Sequence, residues 1–303
     1  MFRTAELGRK INKSDYKTRA PLLRQQLLEM QQALRKQNKS PVIIVFAGVD
    51  GAGKGETVNL LNEWMDPRWI TTRAYDLPTQ EELERPDQWR YWRDLPANGK
   101  IGLFLSSWYS SPVLGRAHKN LSAIEFDDHL QRILAFENAL VDDGAIIIKF
   151  WMHLSKKAQK ERFTSLEKNP KLSWRVTKKD WQHWKKYDHF LEAAERVIMR
   201  TSTGGAPWHI IEGGNPNYRG ITVGEIILET VEKQLAHQES EELARQNKPD
   251  FEERAESSPS SLSTHANETP VTLLSALDMS KALSKEKYKA ELIRYQGILN
   301  QLH

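Results

Sequence analysis

The glycine-rich loop GVDGAGKGE, at residues 48–56, constrains the fold of this chain more than any other feature. It follows the apolar run PVIIVFAG (41–48), which is typical of a strand buried on both faces of a parallel sheet. A helix-like stretch, KGETVNLLNEWM, begins at Lys54. A strand, a glycine loop and a helix in this order are the context that a phosphate-binding P-loop requires. The sequence therefore predicts an anion-binding turn between a strand and a helix.

The chemistry of this loop depends on its backbone, one lysine and one aspartate. Glycine lets consecutive N–H groups turn inward around phosphate oxygens, so we expect phosphate contacts at Gly51, Ala52, Gly53 and Gly55. The positive charge of Lys54 would attract the transferred phosphate, and the dipole of the helix N-terminus would strengthen that attraction. The Ser or Thr that usually follows this lysine and binds magnesium is replaced by Gly55, and Thr57 lies out of register. Since a carboxylate among phosphates is costly without a counter-charge, we predict that Asp50 either binds a metal or activates the attacking phosphate.

Strand-like and helix-like segments alternate over roughly the first 237 residues. The predicted strands are the apolar runs at 41–48, 99–108, 145–154 and 208–214 and a weaker candidate, the more polar TTRAYDLP, at 71–78. A helix is predicted over 122–144, because Ser122 and Glu125 have the spacing of a capping box. This alternation predicts an α/β fold, a doubly wound and mostly parallel sheet with helices on both faces. Ligands of such folds bind at the carboxyl ends of the strands.

Composition narrows the class of protein. The chain contains no cysteine, which excludes disulfides, thiolate metal sites and cysteine nucleophiles. It has no apolar run of membrane-spanning length, and its first residues lack a secretory signal, so we expect a cytoplasmic protein. The net charge is only +4, but residues 149–186 contain twelve Lys or Arg and three Asp or Glu. This basic block is either a solvated helical face or a surface for a polyanion, and its position in a P-loop domain favours the polyanion.

The end of the chain differs from its beginning. Residues 238–270 are rich in Ser, Glu, Pro and Asn and poor in apolar side chains, which predicts a flexible linker. Residues 279–302 align with residues 7–30 at an offset of 272, which indicates either a chance similarity of two lysine-rich helices or a tandem repeat. On the repeat hypothesis, 1–237 is a complete P-loop domain, 238–270 a linker and 271–303 the start of a second, truncated copy.

Several segments of the chain resemble the family-2 polyphosphate kinases, which move phosphate between polyphosphate and nucleotides. The loop has the pattern Gly48-x-Asp50-x-x-Gly53-Lys54-Gly55, and the resemblance continues over about 14–235. It is carried by PTQEELERPDQWRYWRDLPANGKIGLF, WYSSPVLGR, IIIKFWMHLSKKAQKERF and the lid-like WRVTKKDWQHWKKYDHFLEAAERVIMRTSTGGAPWHII. Two fused copies of such a domain are similar to the polyphosphate:AMP phosphotransferases, which use polyphosphate to convert AMP to ADP.

The resemblance implies ligands and residue roles that composition does not. It implies Mg²⁺ as cofactor, polyphosphate and AMP or ADP as substrates, a homo-oligomer, and a helical lid that closes over the phosphates. With polyphosphate as the polyanion, neither nucleic acid nor a membrane is an expected partner. Asp50 and Lys54 would be catalytic, and further phosphate contacts would come from Arg90, Arg116, Lys149, Arg162 and Arg175. The lid histidines, His183 and His189, are expected to be surface residues rather than metal ligands, because their i,i+6 spacing does not bring them to one helical face.

One strand end departs from the family pattern. Where the family has Asp and Arg before Ser-Trp-Tyr, this chain has Leu105 and Ser106 before Ser107, Trp108 and Tyr109. The missing Asp is the partner acidic position of the metal site. Three hypotheses follow: an active polyphosphate-dependent phosphotransferase domain, a non-catalytic domain that supports an active second repeat, and an ATP-using nucleoside monophosphate kinase. We favour a phosphotransferase for the whole protein and the second hypothesis for this domain alone, because phosphoryl transfer depends on charge neutralisation.

Overall fold

The computed structural model describes residues 1–246 and 283–301. The chain forms two compact units, Met1–Asn247 and Lys248–His303. The first contains a five-stranded sheet with β1 (Val42–Gly48), β2 (Ile70–Ala74), β3 (Ile101–Leu105), β4 (Ile146–His153) and β5 (Trp208–Glu212). The strand order is β2-β3-β1-β4-β5, and all four pairings are parallel. The predicted α/β class and parallel sheet are confirmed.

Helices connect these strands. They are α1 (Lys13–Gln37), α2 (Lys54–Trp64), α3 (Gln80–Leu83), α4 (Trp89–Arg93), α5 (Ser110–Ala117), α6 (Ala123–Asp142), α7 (Lys156–Glu167), α8 (Lys178–Lys185), α9 (Tyr187–Thr201), α10 (Pro216–Gln246) and α11 (Lys285–Gln301). The Ser122–Glu125 capping box is present at the start of α6. None of the described helices combines the length and apolar character needed to cross a lipid bilayer.

Apolar side chains cover both faces of the sheet. Along β1, Val42, Ile44 and Phe46 pack in one cluster with α1, α2 and α10. Ile43 and Val45 point the other way and pack in a second cluster with α5, α6 and α9. A strand covered on both faces must be apolar at every position, which is why β1 and β4 read as continuous apolar runs. The helices on both faces confirm the doubly wound architecture.

The topology determines where ligands can bind. From β1 the chain passes through α2 to the edge strand β2, returns to β3 beside β1, and then crosses to β4 on the other side. The connections that follow β1 and β3 therefore leave in different directions, which opens a crevice at the carboxyl end of β1. The glycine loop begins at this point.

The described residues cover only part of the predicted linker and second repeat. Helix α10 continues to Gln246, so residues 238–246 are helical where the composition predicts a flexible linker. Polar composition does not prevent a helix from extending beyond its last buried residue, which here is Leu235. The rest of the predicted linker lies outside the described residues, as do residues 271–282 and 302–303 of the predicted second copy. Within that copy, α11 occupies the part that aligns with α1.

Candidate active site

The glycine loop approaches its neighbours too closely for larger residues at two positions. Gly48 has φ 129°, and a Cβ there would overlap the backbone of Met152 on β4. Gly53 has φ 89°, and a Cβ there would overlap the guanidinium of Arg219. Positive φ disfavours other residues at both positions, and at Gly48 the backbone of Met152 also leaves no space for a side chain. The loop therefore forms the tight turn that its sequence predicts.

Lys54 folds back over the loop at the start of α2. Its ammonium donates to the carbonyl oxygens of Gly48 at 2.6 Å and Val49 at 3.0 Å. The carboxylate of Asp50 lies 3.8 Å from the same ammonium. Burial lowers the pKa of Lys54, although the charge of Asp50 opposes that shift. Lys54 and Asp50 thus form a charge pair inside the loop, and their catalytic roles remain predictions.

Helix α8 of the lid contacts the loop through His183. Its Nδ1 lies 2.7 Å from Oδ2 of Asp50, and its side chain is only 11% exposed. The prediction of a surface position is therefore wrong for His183, because the lid folds over the loop, whereas His189 is exposed as expected. Burial alone would raise the pKa of Asp50, but the His183 hydrogen bond and the charge of Lys54 outweigh it and lower that pKa.

Three arginines surround Glu56 in the first turn of α2. Oε1 of Glu56 accepts from Arg162 at 2.7 Å and from Arg175 at 2.8 Å, and Oε2 accepts from Arg219 at 2.7 Å. We call these three residues the arginine cluster. Burial alone would raise the pKa of Glu56, but its bonds to the three arginines outweigh that effect and hold it below its ordinary value. Two predicted phosphate ligands, Arg162 and Arg175, are thus brought to the loop.

Arg219 is a member of the cluster that the sequence did not single out. It lies on α10, 163 residues from Glu56, and its side chain is only 4% exposed. It also donates to the hydroxyl of Thr57 at 2.9 Å and to the carbonyl of Gly213 at 2.8 Å. The Thr57 hydroxyl in turn donates to the carbonyl of Gly53, the residue that precedes α2. No local pattern marks Arg219, because only the packing of α10 beside α2 brings it to the loop.

The loop and two arginines of the cluster, Arg162 and Arg175, line one cavity of about 170 Å³. We call it the loop cavity; its lining includes Asp50, Gly51, Gly53, Lys54, Gly55, Glu56, Arg162, Arg175 and Asp180. A second cavity, which we call the strand-end cavity, adjoins the same loop. Its lining includes Asp50, Lys54, Ser106, Tyr109, Lys179 and His183. Asp50 and Lys54 therefore lie where the two cavities meet.

Lys149 does not reach the loop, so the prediction that it binds phosphate is wrong for this structure. It lies in the middle of β4 with no exposed surface. Its ammonium donates to Oε2 of Glu137 at 2.5 Å and to the carbonyl of Thr201 at 2.7 Å. Oε1 of Glu137 accepts from Trp108 and Tyr109. Lys149 is a buried charge paired within the core, and it anchors the segment that follows β3.

Two other predicted phosphate ligands are held by local contacts. Arg90 donates to the carbonyl of Asp76, pairs with Glu82 at 3.4 Å and lies over the ring of Tyr75. Arg116, in the last turn of α5, donates to the carbonyl of Leu121 at 3.3 Å. Neither contact involves the glycine loop. Their phosphate-binding roles remain predictions.

At the carboxyl end of β3, the two charged residues of the family pattern are absent, but the two aromatic residues that follow are present. Leu105 pairs in register with Phe46 of β1 and packs against the core. Ser106 adopts φ 50°, which is uncommon for a residue other than glycine and lies beside the site. Trp108 and Tyr109 are buried and hydrogen-bonded to Glu137. The position expected for a second acidic ligand is thus filled by an apolar side chain.

The side chains around the loop offer magnesium one carboxylate. In the described parts of the chain, no group of three or more His, Cys, Asp or Glu side chains has the arrangement of a metal site. Glu56 is committed to three guanidinium groups, and Asp180 accepts from the backbone N–H and hydroxyl of Thr177 at the start of α8, which leaves the carboxylate of Asp50. Magnesium commonly binds proteins through one or two carboxylates and takes its other ligands from substrate phosphates and water. Asp50 fits that minimal requirement, because it lines both cavities.

Comparison with known proteins places this geometry in a family. The family model for polyphosphate kinase 2 matches residues 10–239. The chain belongs to the polyphosphate kinase 2 family. It is 45% identical over 300 residues to the polyphosphate:AMP phosphotransferase of Pseudomonas syringae pv. tomato, with 99% of this chain and 57% of that protein covered. The enzyme of the same name from Pseudomonas aeruginosa is 42% identical, with 99% and 58% covered.

Comparison with solved structures indicates the same family. A crystal structure described as polyphosphate kinase 2 of Pseudomonas aeruginosa matches with a TM-score of 0.79 and 39% identity. That match covers all of this chain and 55% of the other. The chain thus spans little more than half the length of these three relatives.

Proposed function

We propose that the protein is a polyphosphate-dependent nucleotide phosphotransferase that converts AMP to ADP. The observation that carries the proposal is the loop cavity, in which Lys54, the loop backbone and two arginines of the cluster face one space. Such a space suits a chain of phosphates, which needs several positive charges and inward N–H donors. Similarity to two polyphosphate:AMP phosphotransferases over almost the whole chain supports AMP as the nucleotide.

The two cavities suggest how the substrates would meet. Polyphosphate would occupy the loop cavity and AMP the strand-end cavity, with Lys54 between them. A phosphate oxygen of AMP would attack the terminal phosphorus of polyphosphate. A new P–O bond forms, the bridging P–O bond to the rest of the polyphosphate breaks, and the shortened chain keeps the negative charge on its oxygen. Lys54 and the cluster would neutralise that charge, and the α7–α8 lid would exclude water.

Magnesium belongs to this proposal as well. When bound, it would supply Lewis-acid neutralisation of the phosphate oxygens, and Asp50 is the residue that would hold it. A cytoplasmic location and a homo-oligomeric assembly complete the proposal, and both rest on the sequence and the family.

A second candidate function is a non-catalytic domain that binds polyphosphate. It is favoured by Leu105, which stands where the family has an acidic residue, and by Glu56, which occupies the arginine cluster. Loss of one electrostatic group at a transition state costs about 10²–10³-fold in rate. An ATP-using nucleoside monophosphate kinase is less favoured, because Gly55 replaces the metal-binding hydroxyl after Lys54.

The experiment that separates these functions measures turnover and binding on the same preparation. The 303-residue chain is incubated with polyphosphate, AMP and Mg²⁺, and ADP is quantified by chromatography; polyphosphate binding is measured by calorimetry. Turnover that falls at least about 10²-fold in Lys54→Met supports a catalytic domain. Lys36→Met, an exposed lysine at the end of α1, is the matched control.

Binding without turnover would support the non-catalytic function instead. Absence of both binding and turnover would contradict both candidates. Turnover with ATP in place of polyphosphate, and none with polyphosphate, would favour the monophosphate kinase.

A further inference from the structure

Glu56 lies between the three guanidinium groups of the arginine cluster. Its two carboxylate oxygens accept from Arg162, Arg175 and Arg219, all within 2.8 Å. Arginine binds carboxylate and phosphate with the same planar arrangement of N–H donors. A carboxylate that already satisfies three guanidinium groups is therefore a direct competitor of a phosphate at the same donors.

The position of Glu56 also matters for an extended ligand. Glu56, Arg162 and Arg175 line the loop cavity, and the same three residues line a further cavity of about 460 Å³ that also includes Tyr16, Leu60 and Arg219. The ion pairs between them thus lie at the boundary of the two spaces. A polyphosphate chain that extends from Lys54 toward Arg219 has to pass this boundary, where a fixed negative charge would repel it.

We propose that Glu56 is an internal competitor that sets the affinity of this domain for polyphosphate. In the unliganded protein it neutralises part of the charge of the arginine cluster, above all that of Arg219, whose side chain is almost fully buried. When polyphosphate binds, its phosphates replace the Glu56 carboxylate at Arg162 and Arg175. The inference rests on the proposed function only in taking polyphosphate as the ligand; it holds for a catalytic and for a non-catalytic domain.

The test measures binding without turnover. Inorganic polyphosphate is titrated into the 303-residue chain by calorimetry, without AMP or Mg²⁺, for the parent, Glu56→Gln and Glu56→Ser. We expect both variants to bind at least about tenfold more tightly, because removal of one negative charge within a few ångströms of a polyanion is worth at least that much. Glu63→Gln, an exposed residue on the same helix, changes the net charge equally and serves as the matched control.

A second measurement, the melting temperature with and without polyphosphate, separates a change in affinity from a change in stability. Without ligand, Glu56→Gln should melt at a lower temperature than the parent, because the cluster has lost its counter-charge. Saturating polyphosphate should raise its melting temperature more than that of the parent. The added substitution Arg162→Gln should abolish the gain in affinity.

The outcomes are distinct. Unchanged or weaker binding by Glu56→Gln and Glu56→Ser would overturn the inference and make Glu56 a residue that only positions the arginines. A gain in polyphosphate affinity equal to that of Glu63→Gln would also overturn the inference, because it would show a general effect of net charge. Lack of ADP formation in the separate turnover assay would count against a catalytic domain and leave this result unaffected.

Discussion

At the glycine loop, the backbone determines the shape of the site and the side chains determine its charge. The backbone favours glycine at Gly48 and Gly53, because both have positive φ, and at Gly48 the backbone of Met152 also fills the space that a Cβ would need. Lys54 and Asp50 form a pair within the loop, and Glu56 neutralises part of the charge of the arginine cluster. The loop thus has the shape of an anion site, and its nearest carboxylates already engage its cations.

The bonds of Glu56 predict a pH-dependent contribution to stability. The three arginines hold the pKa of Glu56 below its ordinary value of 4.5. A carboxylate whose pKa is lowered by folding stabilises the protein above its ordinary pKa, and that stabilisation is lost as pH falls through the lowered value. We expect the parent to exceed Glu56→Gln in unfolding free energy by about 1–3 kcal/mol near neutral pH, and this difference to shrink below about pH 4.5. Urea unfolding at several pH values measures it, and a constant difference would contradict it.

At the scale of elements, two contacts hold the site together from opposite sides. Between β4 and α6, the buried Lys149–Glu137 pair supports Trp108 and Tyr109 after β3. Above the loop, His183 on α8 joins the lid to Asp50. The first contact lies in the core and the second at the edge of the cavities, so they should respond differently to substitution.

Loss of Lys149 should destabilise the fold. Lys149→Met leaves a buried carboxylate without its cation, which we expect to cost about 3–5 kcal/mol in unfolding free energy. The double variant Lys149→Met with Glu137→Gln removes both charges and keeps an oxygen acceptor for Trp108 and Tyr109. It should recover at least half of the loss, as measured by denaturant titration. Full stability of Lys149→Met together with weaker polyphosphate binding would instead support a phosphate-binding lysine.

Loss of His183 should loosen the lid without unfolding the domain. In His183→Ala the hydrogen bond to Asp50 is removed, and bonds to charged groups contribute about 1.5–3 kcal/mol. We expect amide hydrogens of α8 to exchange at least about tenfold faster, with the core strands unchanged. Exposed His189 on α9 provides the control, His189→Ala. Equal exchange rates in α8 of the parent and His183→Ala would show that other contacts hold the lid.

At the scale of the whole molecule, the site residues named above all lie in the first compact unit. The sheet, both apolar clusters, the loop and the arginine cluster all lie within Met1–Asn247. Helix α10 is essential to this unit, because it packs along α1 and supplies Arg219. The predicted domain end at 237 lies just after Leu235, the last buried apolar residue of α10.

This arrangement predicts that residues 1–247 fold on their own. The fragment should show cooperative thermal unfolding and the helix content of the first unit by circular dichroism. A fragment that ends at residue 214 lacks α10 and should fail to fold, because it exposes the apolar faces of α1 and α2. Failure of 1–247 to fold would show that Lys248–His303 contributes to its stability.

The sequence by itself determined the class of fold and the phosphate-binding character of the loop. Both depend on short-range patterns: apolar runs, the spacing of glycines, and a lysine at the start of a helix. The tertiary structure decided which charged residues reach that loop. Lys149 and Arg162 both belong to the basic block at 149–186, yet one lies in the core and the other at the cavity. Arg219 and His183 gave no local signal, because they reach the loop only when α10 and α8 pack against it.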